Sequence, residues 1–254
     1  MKYAINHLSV ISVYSEPRED SLVCSELLFG EVVKVLERRA MWSRIRLQED
    51  KTEGWIPNIQ YTEIDETTYK SICDETPVYC AQSVGVCRRG EQAQPILIGS
   101  RLPLFSEGRF MVGETQYTFD GYVAMGRKPK SDVVRVAKGF LNAPYKNGGR
   151  SFFGVDAGAF VQMCYRLCGR NIARTPALQS KAGEVLSFVE EAVEGDLAFF
   201  DDNEGNINHV GIILDDHRII HSYGCVRIDH IDQTGIYNAD MGKYTHSLRV
   251  IKHI

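Results

Sequence analysis

The chain has 254 residues, 44% of them hydrophobic and 24% charged, with a formal net charge of −4. That length exceeds the usual single domain and predicts two or three. The mild acidity, without a basic stripe, argues against nucleic acid and anionic membrane surfaces as partners. No apolar run approaches the roughly 18 residues of a membrane-spanning helix. Asn6, His7, Ser9 and Ser12 interrupt the opening residues, which do not read as a signal peptide.

Residues 1–64 alternate apolar and polar positions in short runs (GEVVKVLERR, SRIRL, GWIPNIQYTEI) and predict a small β-barrel. Residues 65–126 repeat that texture in TPVYCAQ, QPILIGSRLPLF, RFMVG and QYTFDGYVAM, which predicts a second barrel. GRKPKSD, Gly126 to Asp132, is a linker whose Pro and basic residues lead into Ser131, a residue suited to cap a helix. From there the texture changes. A helix is expected to bury Val133, Ala137, Phe140 and Leu141 and to end before Pro144. A second runs from Asp156 to about Cys168, with Asp156 as cap, Gly169 past its end, and Phe160, Cys164, Leu167 and Cys168 on the buried stripe. A short third begins at Thr175-Pro176. The strands DLAFF, HVGIIL, RIIHSY, CVRID and SLRVIKHI follow, with a turn at Asp215–His217. Helices and then strands make residues 127–254 an α+β domain.

The seven cysteines contain no C-x-x-C pair, so neither a disulfide scaffold nor a zinc site is expected, and unpaired thiols favour a reducing compartment. His209 and His221 lie on strands joined by a hairpin. On spacing alone two ordinary strand histidines, one exposed and one packed, are the favoured reading. The start of the second helix adds a reason to pair them. The positive end of a helix dipole favours a thiolate, and a facing histidine could take its proton. The residue at that place is Ala157, which has nothing to attack with. Cys225 is the weaker alternative nucleophile, because it lies in a strand or turn. Cys164 and Cys168 read as core.

The pieces FLNAPYKNGGRSFFGVDAGAFVQ, GDLAFF, NHVGIIL and IIHSYGCVRID, in this order, resemble the NlpC-type cysteine peptidases, a papain-like family that cuts cell-wall peptides. The resemblance implies that Ala157 holds the nucleophile's place, His209 the general base and His221 the residue orienting it. It implies that Tyr145 helps form the oxyanion hole. The family's Asp-Cys-Ser-Gly-Phe stands here as Asp156-Ala157-Gly158-Ala159-Phe160, and Asn147 replaces a frequent Trp. The N-terminal halves resemble bacterial SH3-like domains through SELLFGEVVKVLE and GWIPNIQY. One subgroup with such barrels cuts γ-D-glutamyl bonds in free murein peptides, and there the first barrel closes the cleft. That likeness implies a substrate such as L-Ala-γ-D-Glu-diamino acid, with Glu26, Tyr61 and Asp156 reading its free amine and Gly158 also against it. A solvated strand-edge charge and a packing aromatic are the plainer readings of Glu26 and Tyr61, and an N-cap that of Asp156.

The expected architecture is thus two SH3-like barrels, 1–64 and 65–126, and a papain-like α+β peptidase domain, 127–254. It is expected to be a cytoplasmic monomer needing no metal or cofactor, in a setting of cell-wall peptide recycling; a periplasmic or envelope location is the alternative. Three functions stay open: a peptidase whose cysteine is replaced at 157, a naturally inactive peptide-binding relative, and a wall-anchoring scaffold. Retention of His209, His221 and Tyr145 favours the first.

Overall fold

The computed structural model describes residues 2–202 and 204–254, which divide into two compact units, Met1–Gly126 and Arg127–Ile254. The chain is mostly sheet with few helices. Among the described residues no helix is long and apolar enough to cross a membrane.

In the first unit, β1 (Lys2–Ile5), β2 (Val10–Tyr14), β3 (Val23–Leu28), β4 (Val32–Arg38), β5 (Trp42–Leu47), β6 (Glu53–Pro57) and β7 (Thr62–Ile64) form one antiparallel sheet in the order β3-β2-β6-β5-β4-β1-β7. Alternate residues such as Ile11, Val13, Val33, Ile45 and Ile56 fill its core, as the period-2 pattern of half-buried strands requires. The helix α1 (Glu66–Asp74) follows, where strand texture alone was expected. Asp65 caps it by accepting the Thr68 N–H, and Tyr69 and Ile72, one turn apart, face inward. Then come β8 (Val78–Cys80), β9 (Val84–Arg89), β10 (Gln92–Leu97), β11 (Arg109–Val112), β12 (Thr115–Thr118) and β13 (Val123–Met125), as a sheet β10-β9-β12-β11 and a pair β13-β8. One apolar cluster joins Tyr3, Ile5 and Phe29 of the first part to Ile96, Phe110 and Phe119 of the second.

In the second unit, α2 (Ser131–Gly139) begins on Ser131 itself, and the position before it is Lys130, without a side-chain cap. Val133, Ala137 and Phe140 are buried, but Leu141 is not, because the helix stops at Gly139 and Leu141 leaves the apolar stripe. The short pair β14 (Arg150–Ser151) and β15 (Gly154–Val155) precedes α3 (Ala157–Arg166), and α4 (Pro176–Gln179) is a single turn. Every residue of α3 is buried, Gln162 and Arg166 included, so the helix has no polar face of the kind the stripe implied. The strands β16 (Glu184–Leu186), β17 (Leu197–Asp201), β18 (Ile207–Ile213), β19 (Arg218–Tyr223), β20 (Cys225–Ile231), β21 (Gly235–Asn238) and β22 (Lys243–His253) run in the order β16-β22-β17-β18-β19-β20-β21. The long β22 also pairs with β21, which closes the sheet on itself. The turn between β18 and β19 has left-handed Asp216 and His217. α3 packs against β18 and β19. No disulfide joins the described cysteines.

Candidate active site

The register of three neighbouring strands lines up a polar chain. Gly211 on β18 stands opposite His221 on β19, so His209 lies on the diagonal, close enough for the rings to meet. A Cβ at 211 would come within 3.0 Å of the His221 Cβ and 2.6 Å of Ile219, so glycine is what lets His221 sit this close. On β20, Arg227 stands opposite His221, with Asp229 on the next diagonal. The atoms follow suit. His209 Nε2 and His221 Nδ1 are 2.9 Å apart, and His221 Nε2 meets Asp229 Oδ2 at 3.0 Å. Arg227 donates two bonds to Asp229, at 2.8 and 3.0 Å, and a third to Asp240.

The donor inventory fixes the tautomers. An ionised carboxylate only accepts, so His221 carries its proton on Nε2 and its Nδ1 is an acceptor. His209 must then donate from Nε2, which leaves Nδ1 with a lone pair. Burial would raise the Asp229 carboxyl, but the bonds from His221 and Arg227 outweigh it and hold it below the usual range. Burial pushes His209 well below the ordinary histidine value, with His221 and His246 adding to the effect. Burial also lowers His221, against the pull of Asp229. Both rings are therefore neutral at pH 7.

His246, on β22, stacks on His209 with ring centres 4.0 Å apart and planes at 24°. Burial and the neighbouring His221 push its pKa down to about 4. Tyr145, His209, Ser222, Tyr223 and His246 line an open cleft of about 710 Å³. The Ser222 hydroxyl donates to Val155 O at 2.8 Å, tying β19 to the segment that leads into α3. Tyr145 is 46% exposed, and burial followed by the nearby Asp156 raises its phenol.

Ala157 is the first residue of α3 and is 5% exposed. Its N–H and that of Gly158 have no acceptor inside the helix, as at any helix start. Asp156 caps the helix through the Ala159 N–H at 2.8 Å and also accepts the Gly148 N–H at 3.0 Å. Arg174 grips both oxygens of the same carboxylate. These four bonds use about all the lone pairs a carboxylate has, so Asp156 is a cap and an ion-pair partner. Position 158 faces the chain segment at Arg174–Pro176. A Cβ there would lie 2.5 Å from Arg174 O and 2.9 Å from Pro176 Cδ, so what Gly158 can offer a ligand is backbone.

Glu26 and Tyr61 belong to the first unit. Glu26 is in β3, opposite Ser12, and only 4% exposed, so it is no solvated edge charge. Tyr61 packs in the first core. Ser43 donates to Asn58 Oδ1, so the Tyr61 hydroxyl, 2.8 Å from Ser43 Oγ, must donate to it and keeps its own lone pairs. Cys225 opens β20, beside the left-handed Gly224, so it begins a strand and not a helix.

Sequence reasoning missed Asp229, Arg227 and His246; Arg174 entered only through a partial match of Arg174-Thr175-Pro176 to a segment that contacts substrate in some relatives, which does not foretell its bond to Asp156. The first two carried a signal, since CVRID places charged residues at period 2 across a tight turn from His221. His246 lies one residue before the stretch read as the last strand.

The His209–His221–Asp229 relay and the start of α3, which packs against β18 and β19, thus belong to one unit, the arrangement a cysteine-peptidase type of site would need. Residues 142–248 match the NlpC/P60 family model, and residues 13–60 match the bacterial dipeptidyl-peptidase Sh3 domain. The chain thus carries an NlpC/P60 domain behind a bacterial dipeptidyl-peptidase SH3 domain. Two curated relatives are both named gamma-D-glutamyl-L-lysine dipeptidyl-peptidase. One, from Bacillus cereus (strain ATCC 10987 / NRS 248), is 27% identical over 78% of this chain. The other, from Bacillus subtilis (strain 168), is 26% identical over 80%. The matches span 66% and 73% of those proteins' own lengths. The crystal structure of an NlpC/P60 family protein from Bacillus cereus ATCC 10987 shares the fold, with a TM-score of 0.82, 20% identity and 99% of each chain covered. An NlpC/P60 endopeptidase from Photobacterium damselae subsp. piscicida also shares it, with a TM-score of 0.76 and 14% identity over 98% of this chain and 70% of that one.

Proposed function

We propose that this chain is a murein-peptide hydrolase in its design and a peptide-binding protein in its present form. The substrate class is a peptide with a free N-terminal L-Ala, such as L-Ala-γ-D-Glu-diamino acid, and the bond addressed is the one between γ-D-Glu and the diamino acid. The observation that carries this is the relay. His209 keeps an unprotonated Nδ1 because His221 and Asp229 fix its tautomer, and a buried, fully bonded relay of this kind serves proton transfer. The names of the two Bacillus relatives support the choice of bond.

With a cysteine at 157, His209 would take the thiol proton, and the thiolate would attack the scissile carbonyl. The N–H groups at the start of α3, with Tyr145, would hold the oxyanion, and the imidazolium would protonate the leaving amine. Water activated by His209 would then release the acyl group. With Ala157 no acyl-enzyme forms, and binding is what remains. We further read residues 65–126 as a second SH3-like barrel, and the first unit as the part that reads the amine through Glu26 and Tyr61. The setting we assign is cytoplasmic peptide recycling.

The test is direct. The chain as it stands should bind L-Ala-γ-D-Glu-L-Lys in a calorimeter without cleaving it. Ala157→Cys should release L-Ala-γ-D-Glu, detected by mass spectrometry. A correctly folded Ala157→Cys chain that neither binds nor cuts such peptides overturns the reading.

A further inference from the structure

We propose that His209, His221 and His246 form a binding site for one divalent transition-metal ion of the zinc class. One nitrogen from each ring lies within 4.8 Å of the others. His209 is 6% and His221 0% exposed, and both reach their positions through the strand register, not through mobile loops. His246 comes from β22 on the cleft wall.

Tetrahedral zinc binds imidazole at about 2.0–2.1 Å, which places ligand nitrogens roughly 3.3 Å apart. The facing nitrogens of His209 and His221 are 2.9 Å apart with a proton between them. An ion replacing that proton needs the rings to part by a few tenths of an ångström, with the proton on His209 moving from Nε2 to Nδ1. His246 is stacked on His209 and must tilt out of the stack to aim a nitrogen at the same point. The cleft gives it room and gives a water the fourth position.

The surroundings suit a metal. His221 already donates its other N–H to Asp229, which Arg227 holds in turn. That is the carboxylate–histidine arrangement that orients metal-bound imidazoles and raises their basicity. Three nitrogen donors select zinc, copper, nickel or cobalt over magnesium or calcium, which take oxygens. The ion would use the nitrogens that the relay uses, so metal and relay exclude each other. This inference stands apart from the peptide reading, since it needs neither a substrate nor a nucleophile.

The test uses the full chain, stripped with a chelator. Co²⁺ titration should develop visible d–d bands that saturate at one equivalent, without the near-ultraviolet charge-transfer band of a thiolate ligand. Zn²⁺ calorimetry should give one site, weakened at least tenfold by His246→Asn and at least tenfold by Asp229→Asn, and unchanged by His7→Ala in the first unit. Circular dichroism checks that the variants fold, and the Co²⁺ spectrum of the unaltered chain depends on no variant. No saturable binding, a thiolate band, or an affinity indifferent to both His246→Asn and Asp229→Asn would overturn the proposal.

Discussion

His221 Nε2 donates to Asp229 Oδ2 at 3.0 Å, and this one bond decides which nitrogen of His209, a ring further along, is free to act as a base. In the Ala157→Cys chain the three relay residues should therefore rank by their distance from the reacting atoms. His209→Ala should lower kcat by several orders of magnitude, as loss of a catalytic base does. Asp229→Asn should cost less, about tenfold or about 1.4 kcal/mol, since an amide oxygen can still accept from His221. Steady-state kinetics on the tripeptide checks the order. An Asp229→Asn loss as deep as that of His209→Ala would mean the carboxylate does more than fix a tautomer.

The same burial predicts how stability responds to acid. His209, His221 and His246 all have folded pKa values below the ordinary value near 6.5, chiefly through burial, with His246 down to about 4. The unfolded chain then binds more protons than the folded one below about pH 6.5. Stability is fully present above that pH and falls as the pH drops toward the folded values, by about 1.4 kcal/mol per pH unit for each histidine. Denaturant unfolding at pH 7.5, 6 and 5, with a chelator present, should show this slope. His246→Asn should flatten it by about one histidine's share, and an unaltered slope would contradict the assigned burial effect.

Which of these features could be read from the sequence follows from the range of the interactions involved. Asp156 as a cap, the hairpin turn at Asp215–His217 and the β18–β19 pairing are local, and the spacing of their residues displays them. The helix α1 was hidden because only Tyr69 and Ile72 mark its buried face, too few to outweigh the strand-like texture around it. His246 escaped because its stack on His209 depends on β22 pairing with both β17 and β21, a closure that no local pattern encodes. Arg174 reaches Asp156 from 18 residues away, through a loop whose path the sequence does not fix.

Position 158 makes a prediction that runs against the family resemblance. Serine is the residue of the resembling motif, but a Cβ here would stand 2.5 Å from Arg174 O and 2.9 Å from Pro176 Cδ. Arg174 is anchored on Asp156, and Gln179 donates to both Gly158 O and Ala173 O, so the segment resists moving. Gly158→Ser should therefore destabilise the protein by about 1–3 kcal/mol, the usual cost of overpacking. A melting curve should drop by several degrees. Unchanged melting would show that the 174–176 segment yields easily.

Recognition of the substrate amine gives the last prediction. The Asp156 carboxylate is filled by the Ala159 and Gly148 N–H groups and by both nitrogens of Arg174, whose charge offsets its own. An ammonium arriving there finds no open acceptor. Of the other proposed amine readers, Glu26 already has an interaction within the protein, and Tyr61 commits its hydroxyl proton to Ser43. If these two read the free L-Ala amine, N-acetylating the tripeptide should weaken its binding to the Ala157 chain by roughly 1.5–3 kcal/mol, the worth of a charge-assisted bond, or about tenfold to a hundredfold. Glu26→Gln should remove most of that difference between free and acetylated peptide, and Tyr61→Phe a smaller part. The two changes should combine non-additively, because both groups share one charge. Calorimetry with the two peptides on four chains, the Ala157 chain, each single variant and the double variant, settles the matter. Equal affinity for free and acetylated peptide would rule out amine reading and favour an enzyme design for the interior of longer wall peptides.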